Sequence, residues 1–360
     1  MVTMGPEAWV PWPWFETVVT QPAGGCLTKT DPERKHQGLM KPHTIHIDIT
    51  GRVPLDGSHR IAAWVFPPQE GPGPVPLLFC LPGGSYTKAY WHLEVPGHPG
   101  YSFAEHLSAQ GMLILAVDHI GTGDSSRHPR AIELTPDVVA AANQAALSDI
   151  LARIGDGTLV AELDAMDVGP VVGVGHSMGA MLGIFQQSLH GSFDALAALG
   201  YGTVGPIVDL TDEDTGIVAP TLESIVQQAR SGALDEPFMA DRTLPALRHH
   251  FYWDDVPAEV IAADDLTNTH LPGVTGPLSI VPFIASDHAG RIRCPVFIGL
   301  GERDSTSSHY DEARGYYSSP DITFFLLARS AHCHNYAGTR HLLWDRLGRW
   351  VRALPAADHT

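Results

Sequence analysis

Apolar and polar residues alternate over residues 44–50, with Ile45, Ile47 and Ile49 on one side. A period of two marks a half-buried strand. Residues 59–66 read as a second strand, and Gly51-Arg52-Val53-Pro54 and Asp56-Gly57 between them are turn signals. Together they predict an opening antiparallel pair. From residue 75 the pattern changes. Short unbroken apolar runs cover 75–81, 112–117 and 171–174, ending in Pro82-Gly83-Gly84, Asp118 and Gly175. A strand without polar alternation is covered on both faces. Helix-like stretches over 101–110 and 136–154 lie between these runs. Such alternation predicts an α/β fold with a mostly parallel central sheet flanked by helices.

Further strands are expected over 195–199, 296–300 and 322–327, and a closing helix over 339–353. In that helix Leu342, Leu343, Leu347 and Trp350 recur at helical spacing and read as a core-facing stripe. Between Leu199 and Val296 lie about 95 residues, too many for one crossover. Helical segments over 222–231 and 243–250 make this gap a mainly helical cap inserted over the C-terminal edge of the sheet. The chain then divides into an extension over 1–40, an α/β core over 41–200 and 292–360, and a cap over 201–291. Trp9, Trp12 and Trp14 in the extension favour docking on the core over free solvation.

Composition narrows the function classes. Hydrophobic residues make up 44% of the 360, enough for a large core. The 22 Lys and Arg stand against 40 Asp and Glu, a net charge of −18 with only Lys29, Lys35, Lys41 and Lys88 as lysines. Such a surface suits neither phosphate backbones nor anionic membranes, so no nucleic-acid or membrane partner is expected. No apolar run reaches the length of about 18 residues that a spanning helix requires. Residues 1–15 lack the basic start of a signal peptide. Cys26, Cys80, Cys294 and Cys333 form no C-x-x-C pair, which argues against structural zinc and for a reducing, cytoplasmic setting.

One motif carries chemistry. Gly175-His176-Ser177-Met178-Gly179 fits G-x-S-x-G between the 171–174 run and a helix-like run from Ala180. Strand, turn and helix is the setting in which this motif raises a serine hydroxyl above a sheet edge. The Met178 N–H would face a substrate oxygen at a helix N-terminus, where negative charge is favoured. A serine hydroxyl needs a base near neutral pH. The chain holds 20 histidines, so position rather than residue type must select one. His332 and His334 follow the 322–327 strand, and His332 is preferred because it comes first. The base needs an acid to hold its tautomer. Asp304 and Glu302 both follow the 296–300 strand; Asp304 is preferred, with Glu302 the alternative and Asp209 a more distant one. Pro82-Gly83-Gly84-Ser85 offers a second backbone donor at Gly84, or at Ser85 beside it.

In these features the chain resembles the α/β-hydrolase superfamily, in its serine-nucleophile, carboxylesterase-like form. The likeness rests on Gly83-Gly84, the 175–179 motif, Asp304 and His332, each after its strand, in the family's chain order of Ser, Asp, His. It covers roughly residues 44–353. Pro82 stands where these enzymes often carry a histidine, which leaves the detail of the oxyanion loop open. The resemblance implies a catalytic triad of Ser177, His332 and Asp304, an oxyanion hole from Gly84 and Met178, and cleavage of a carboxylic ester through an acyl-enzyme. No metal and no cofactor are implied. Amidases, lactonases, carbon–carbon bond hydrolases and acyltransferases use the same triad, and a non-catalytic binding protein is a rival of another class. Dehalogenase or epoxide-hydrolase chemistry is disfavoured, since it places an aspartate where Ser177 stands.

Ser85, Tyr86, Tyr90 and Trp91 after the oxyanion loop, and His176 beside the serine, are candidate substrate-binding residues. The three aromatics read equally as packing under the cap. The stretch 118–125 reads as a turn bordering the site, with no basic residue near it until Arg127. Asp212, Asp214, Asp254, Asp255, Asp264 and Asp265 read as a solvated acidic face. The expected partner is a small to medium, apolar or aromatic ester, neutral near its scissile bond. The reading leaves room for a homodimer.

Overall fold

The alternating stretch becomes β1 (His43–Asp48), which pairs antiparallel with β2 (Arg60–Phe66). Ile45 lies opposite Ala63 and Ile47 opposite Ile61, with Thr44, His46 and Asp48 exposed. The computed structural model describes residues 41–69, 73–204, 221–235, 239–240, 242–306 and 308–355. The extension with its tryptophans, Cys26, Asp209, Asp212 and Asp214 lie outside these residues.

The unbroken apolar runs become β3 (Val75–Leu81), β4 (Leu113–Val117), β5 (Val168–His176), β6 (Ala195–Leu199), β7 (Val296–Gly301) and β8 (Ile322–Leu327). The eight strands form one sheet in the order β1-β2-β4-β3-β5-β6-β7-β8. From β4 to β8 every pairing is parallel, while β2 meets β4 antiparallel. Successive residues of a strand point to opposite faces, and here both faces are covered. Leu77, Phe79, Leu113 and Leu115 pack with α2 (Pro136–Gly155) and α3 (Met178–His190). Leu78, Cys80, Ile114 and Ala116 pack with α1 (Phe103–Ser108) and the C-terminal helix (Arg340–Ala353). Each fully buried Leu or Phe contributes roughly 1.5–3 kcal/mol relative to exposure. This is why the strands carry no polar alternation.

Three expectations about helices are corrected, two of them in the α/β core. The helix expected over 101–110 begins only at Phe103, because the Ser102 hydroxyl caps it by accepting the Glu105 N–H at 3.0 Å. In the C-terminal helix Leu342 is 57% exposed, and the buried stripe is Leu343, Trp344, Leu347, Trp350 and Val351. The stripe is turned by one position, which a choice between two adjacent leucines leaves undecided.

Between β6 and β7 the described residues form α4 (Leu222–Arg230), α5 (Pro245–Phe251), α6 (Ala258–Asp265), α7 (Thr275–Leu278) and α8 (Ser286–Ala289), which makes the C-terminal helix α9. Helix α5 starts two residues later than expected. Leu244, at ψ 129°, is held extended by Pro245, which occupies the first helical position. Helices α7 and α8 span four residues each, too few to show a helical period. Among the described residues no helix is long and apolar enough to cross a membrane.

Candidate functional site

Strand β5 runs through His176, Ser177 makes the turn, and α3 starts at Met178. Ser177 has φ 54° and ψ −122°, a strained conformation for a residue with a side chain. The surroundings enforce it. The Ser177 N–H donates to the Leu199 carbonyl at 2.8 Å, and the Ser177 carbonyl accepts from Ala180 N at 2.9 Å. The turn is tight enough to exclude side chains on both flanks. A Cβ on Gly175 would strike the Gly179 carbonyl oxygen, and one on Gly179 would strike the carbonyl oxygens of Leu81 and Pro82. Ser177 is left half-buried at the C-terminal end of the sheet, on the wall of a cavity of about 240 Å³.

The same wall carries His332. Its Nδ1 lies 2.7 Å from Asp304 Oδ1. Asp304 is 2% exposed, and its Oδ1 also accepts Ser305 N at 2.7 Å. Its Oδ2 accepts Gly301 N at 2.7 Å and His334 Nε2 at 2.6 Å. Burial pushes this carboxyl up, but His334 and His332 outweigh it and hold the group well below the usual carboxylate range. Asp304 is therefore ionised and can only accept hydrogen bonds. His332 is held in place from several sides. Its backbone N–H donates to the His250 carbonyl at 3.0 Å, and its carbonyl lies 2.8 Å from His176 Nε2. The His250 ring stacks on it at 4.8 Å. Burial, then the neighbouring His332, drives His250 down to about 3, and burial drives His176 well below its ordinary value. Both rings are neutral near pH 7.

The two candidate acids, Glu302 and Asp304, have different surroundings. Glu302 is exposed and accepts the Arg329 N–H at 2.8 Å, away from the histidines. Asp304 meets both His332 and His334, so the choice between the two bases becomes a sharing of one acid between them.

Gly84, Ser85 and Tyr86 line the cavity. Met178 is buried at the first position of α3. The other aromatic candidates sit behind the wall. A 3₁₀ turn over Lys88–Trp91, capped by Thr87, carries the chain inward. Tyr90 stacks on the buried His176 ring at 4.4 Å, and Trp91 packs on Phe103 at 4.9 Å. Tyr90, Trp91 and His176 thus back the site instead of facing the cavity. Tyr201, Leu247, Phe251, Leu271 and Ile280 complete the apolar wall, and all five come from the segment between β6 and β7. Their chain distance from Ser177 hid them from sequence reading.

Three further findings revise the sequence picture. The turn over 118–125 does have a cation: the buried Lys88 Nζ lies 2.5 Å from Asp118 Oδ2 and 2.7 Å from Asp124 Oδ2. His119 from the same turn places Nε2 3.0 Å from the Pro82 carbonyl, beneath the glycine loop. A histidine is therefore near that loop after all, supplied from the neighbouring strand end. Last, Asp264 is fully buried, not on a solvated face. It accepts Tyr252 Oη at 2.5 Å and Tyr86 Oη at 3.0 Å, with Arg242 Nη1 at 3.3 Å. The Arg242 guanidinium also donates to the Ser85 carbonyl and lies 3.7 Å from the Tyr86 ring centroid. Ser85 Oγ accepts the Ala240 N–H at 3.0 Å, while Ser85 itself is held at φ 59°. The segment between β6 and β7 is thereby fastened to the loop after β3. Arg242→Leu should destabilise the fold by about 3–5 kcal/mol, because it leaves the buried Asp264 carboxylate without its cation. Chemical denaturation of the variant beside the parent measures this, and a loss below about 1 kcal/mol would refute it.

Among the described residues no group of three or more His, Cys, Asp or Glu side chains is placed to hold a metal ion. Cys80, Cys294 and Cys333 are buried free thiols.

A family model described as the alpha/beta hydrolase family matches residues 78–351. No curated protein sequence matches the chain. Among solved structures, the chain is similar to a bromoperoxidase from Bacillus anthracis, with a TM-score of 0.57 and 16% identity over 86% of this chain and 99% of that one. A thermophilic esterase from Thermogutta terrifontis gives 0.53 and 15% over 86% and 99%. A proline iminopeptidase from Mycobacterium smegmatis gives 0.53 and 17% over 87% and 98%. At such identities the likeness is one of fold.

Proposed function

Because the chain belongs to the alpha/beta hydrolase family, we propose that it is a serine hydrolase cleaving a carboxylic ester of a small to medium, largely apolar or aromatic molecule. The observation that carries this reading is Ser177 on a strained turn, sharing a cavity with a histidine whose far nitrogen lies 2.7 Å from a buried carboxylate. His332 takes the Ser177 proton as Oγ attacks the ester carbonyl. The negative charge that forms on the carbonyl oxygen is received by the Gly84 and Met178 N–H groups. Collapse of the tetrahedral intermediate expels the alcohol, which takes the proton from His332. Water, deprotonated by His332, then attacks the acyl-enzyme, and the acid leaves as Ser177 regains its proton. Asp304 keeps the His332 proton on Nδ1, so that Nε2 is free to act as base, and stabilises the imidazolium.

Substrate class follows from the wall. Tyr86, Leu247, Phe251, Leu271 and Ile280 line it, and no Lys, Arg, Asp or Glu is among the described lining residues. A charged group entering such a cavity loses hydration and finds no partner. Neutral acyl nitrophenyl esters should be hydrolysed at least about tenfold faster, as kcat/KM, than a nitrophenyl ester carrying a free terminal carboxylate. A fluorophosphonate probe should label Ser177 stoichiometrically. An absence of both labelling and hydrolysis across the panel would overturn the proposal.

A further inference from the structure

We infer that His334 is a positioning residue for the acid of the site, holding Asp304 in the plane from which it serves His332. The inference rests on the proposed roles of Ser177, His332 and Asp304. Its observation is the division of one carboxylate between two imidazoles. Asp304 Oδ1 meets His332 Nδ1 at 2.7 Å, and Oδ2 meets His334 Nε2 at 2.6 Å. A triad acid needs only the first of these bonds. The second costs the burial of another ring, and the His334 side chain is 1% exposed.

An ionised carboxylate only accepts, so the hydrogen between the two groups belongs to His334 Nε2. His334 Nδ1 is buried with no hydrogen-bond partner among the described residues. A donor there would have nothing to donate to, so the ring's side-chain hydrogen bonding is directed at Asp304 through Nε2. The ring's own position is firm. It begins a 3₁₀ turn over His334–Tyr336, and Asn335 of that turn donates to the Tyr90 carbonyl at 3.1 Å and accepts Trp344 Nε1 at 2.8 Å.

The consequence is geometric. Gly301 N and Ser305 N hold the carboxylate from the backbone, one on each oxygen, and His334 adds a ring donor on the side opposite His332. With both oxygens engaged, the carboxylate cannot rotate out of line with His332 Nδ1. Without His334, Oδ2 keeps only the Gly301 N–H, and the alignment loosens. The remaining neighbours do not replace it. His250 Nε2 lies 3.1 Å from Ser305 Oγ, and His176 Nε2 lies 2.8 Å from the His332 carbonyl.

The test compares His334→Leu, His334→Gln and His334→Asn with the parent on one nitrophenyl ester. Glutamine places an amide N–H where Nε2 stands; asparagine is one bond short; leucine has no donor. His334→Leu and His334→Asn should lose about tenfold to a hundredfold in kcat with KM within about twofold, the usual range for a partner that orients a catalytic group. His334→Gln should stay within about threefold of the parent. A merely structural histidine predicts losses that follow thermal stability and ignore the amide's reach. Equal kcat in all three variants and the parent overturns the inference, as does a glutamine variant as slow as asparagine. If the leucine variant fails to fold, the glutamine and asparagine pair carries the comparison. Failure of the underlying reading looks different: the parent itself would neither take the fluorophosphonate label nor hydrolyse the ester, and both readings would fall together.

Discussion

Ser177→Ala should lower kcat/KM for a neutral nitrophenyl ester by on the order of 10⁵- to 10⁶-fold, with the fold intact. The expectation follows from how little else the serine does. Its side chain makes no capping hydrogen bond to α3, and its hydroxyl lies on the wall of the cavity. The backbone bonds that hold the turn, from Ser177 N to Leu199 and from Ala180 N to Ser177, do not involve the side chain. Alanine accepts the same φ of 54° at a similar cost. Stability should therefore change by no more than about 0.5 kcal/mol, while the covalent route is lost. Steady-state kinetics beside thermal unfolding reads both quantities. Retention of more than roughly a hundredth of the parent activity would show that the hydrolysis does not pass through Ser177.

Asp304→Asn should cost about 10⁴-fold in kcat. The carboxylate receives four donors: His332 Nδ1, His334 Nε2, Gly301 N and Ser305 N. An asparagine has one oxygen, so its NH₂ must face two of these donors. If it faces His332, the ring is driven to carry its proton on Nε2, and the base is blocked. If it faces His334 and Gly301, at least one buried donor is left unmatched, at a cost of about 1–3 kcal/mol. The parent also has a stability signature that the variant lacks. The native carboxyl of Asp304 titrates well below the usual range, whereas in the unfolded chain an Asp titrates near about 3.9. Its contribution is thus complete above about pH 4 and is lost as pH falls through the native value. The substituted amide cannot titrate, so this share of acid destabilisation should be missing from the variant's profile. An unchanged kcat, or identical acid unfolding of the two proteins, would contradict this account.

The local periodicities reached far into this fold. Alternation of two over 44–50 and unbroken apolar runs from residue 75 onward specified an antiparallel start and a parallel sheet buried on both faces, because a strand's exposure is written in adjacent residues. The turn at Ser177 was legible for the same reason. Its requirements are steric and lie within five residues, in Gly175 and Gly179 on either side. What the sequence left open involves partners far apart along the chain. Asp304 and His334 are 30 residues apart and Arg242 and Ser85 are 157 apart, and no short-range period encodes such pairs. Only the packing of β7 beside β8 brings one carboxylate between His332 and His334. Only closure of the segment between β6 and β7 buries Asp264, an acid whose charge alone suggested solvent. Charge and hydropathy are properties of single residues; whether a carboxylate is solvated or bonded depends on which donors the folded chain brings to it.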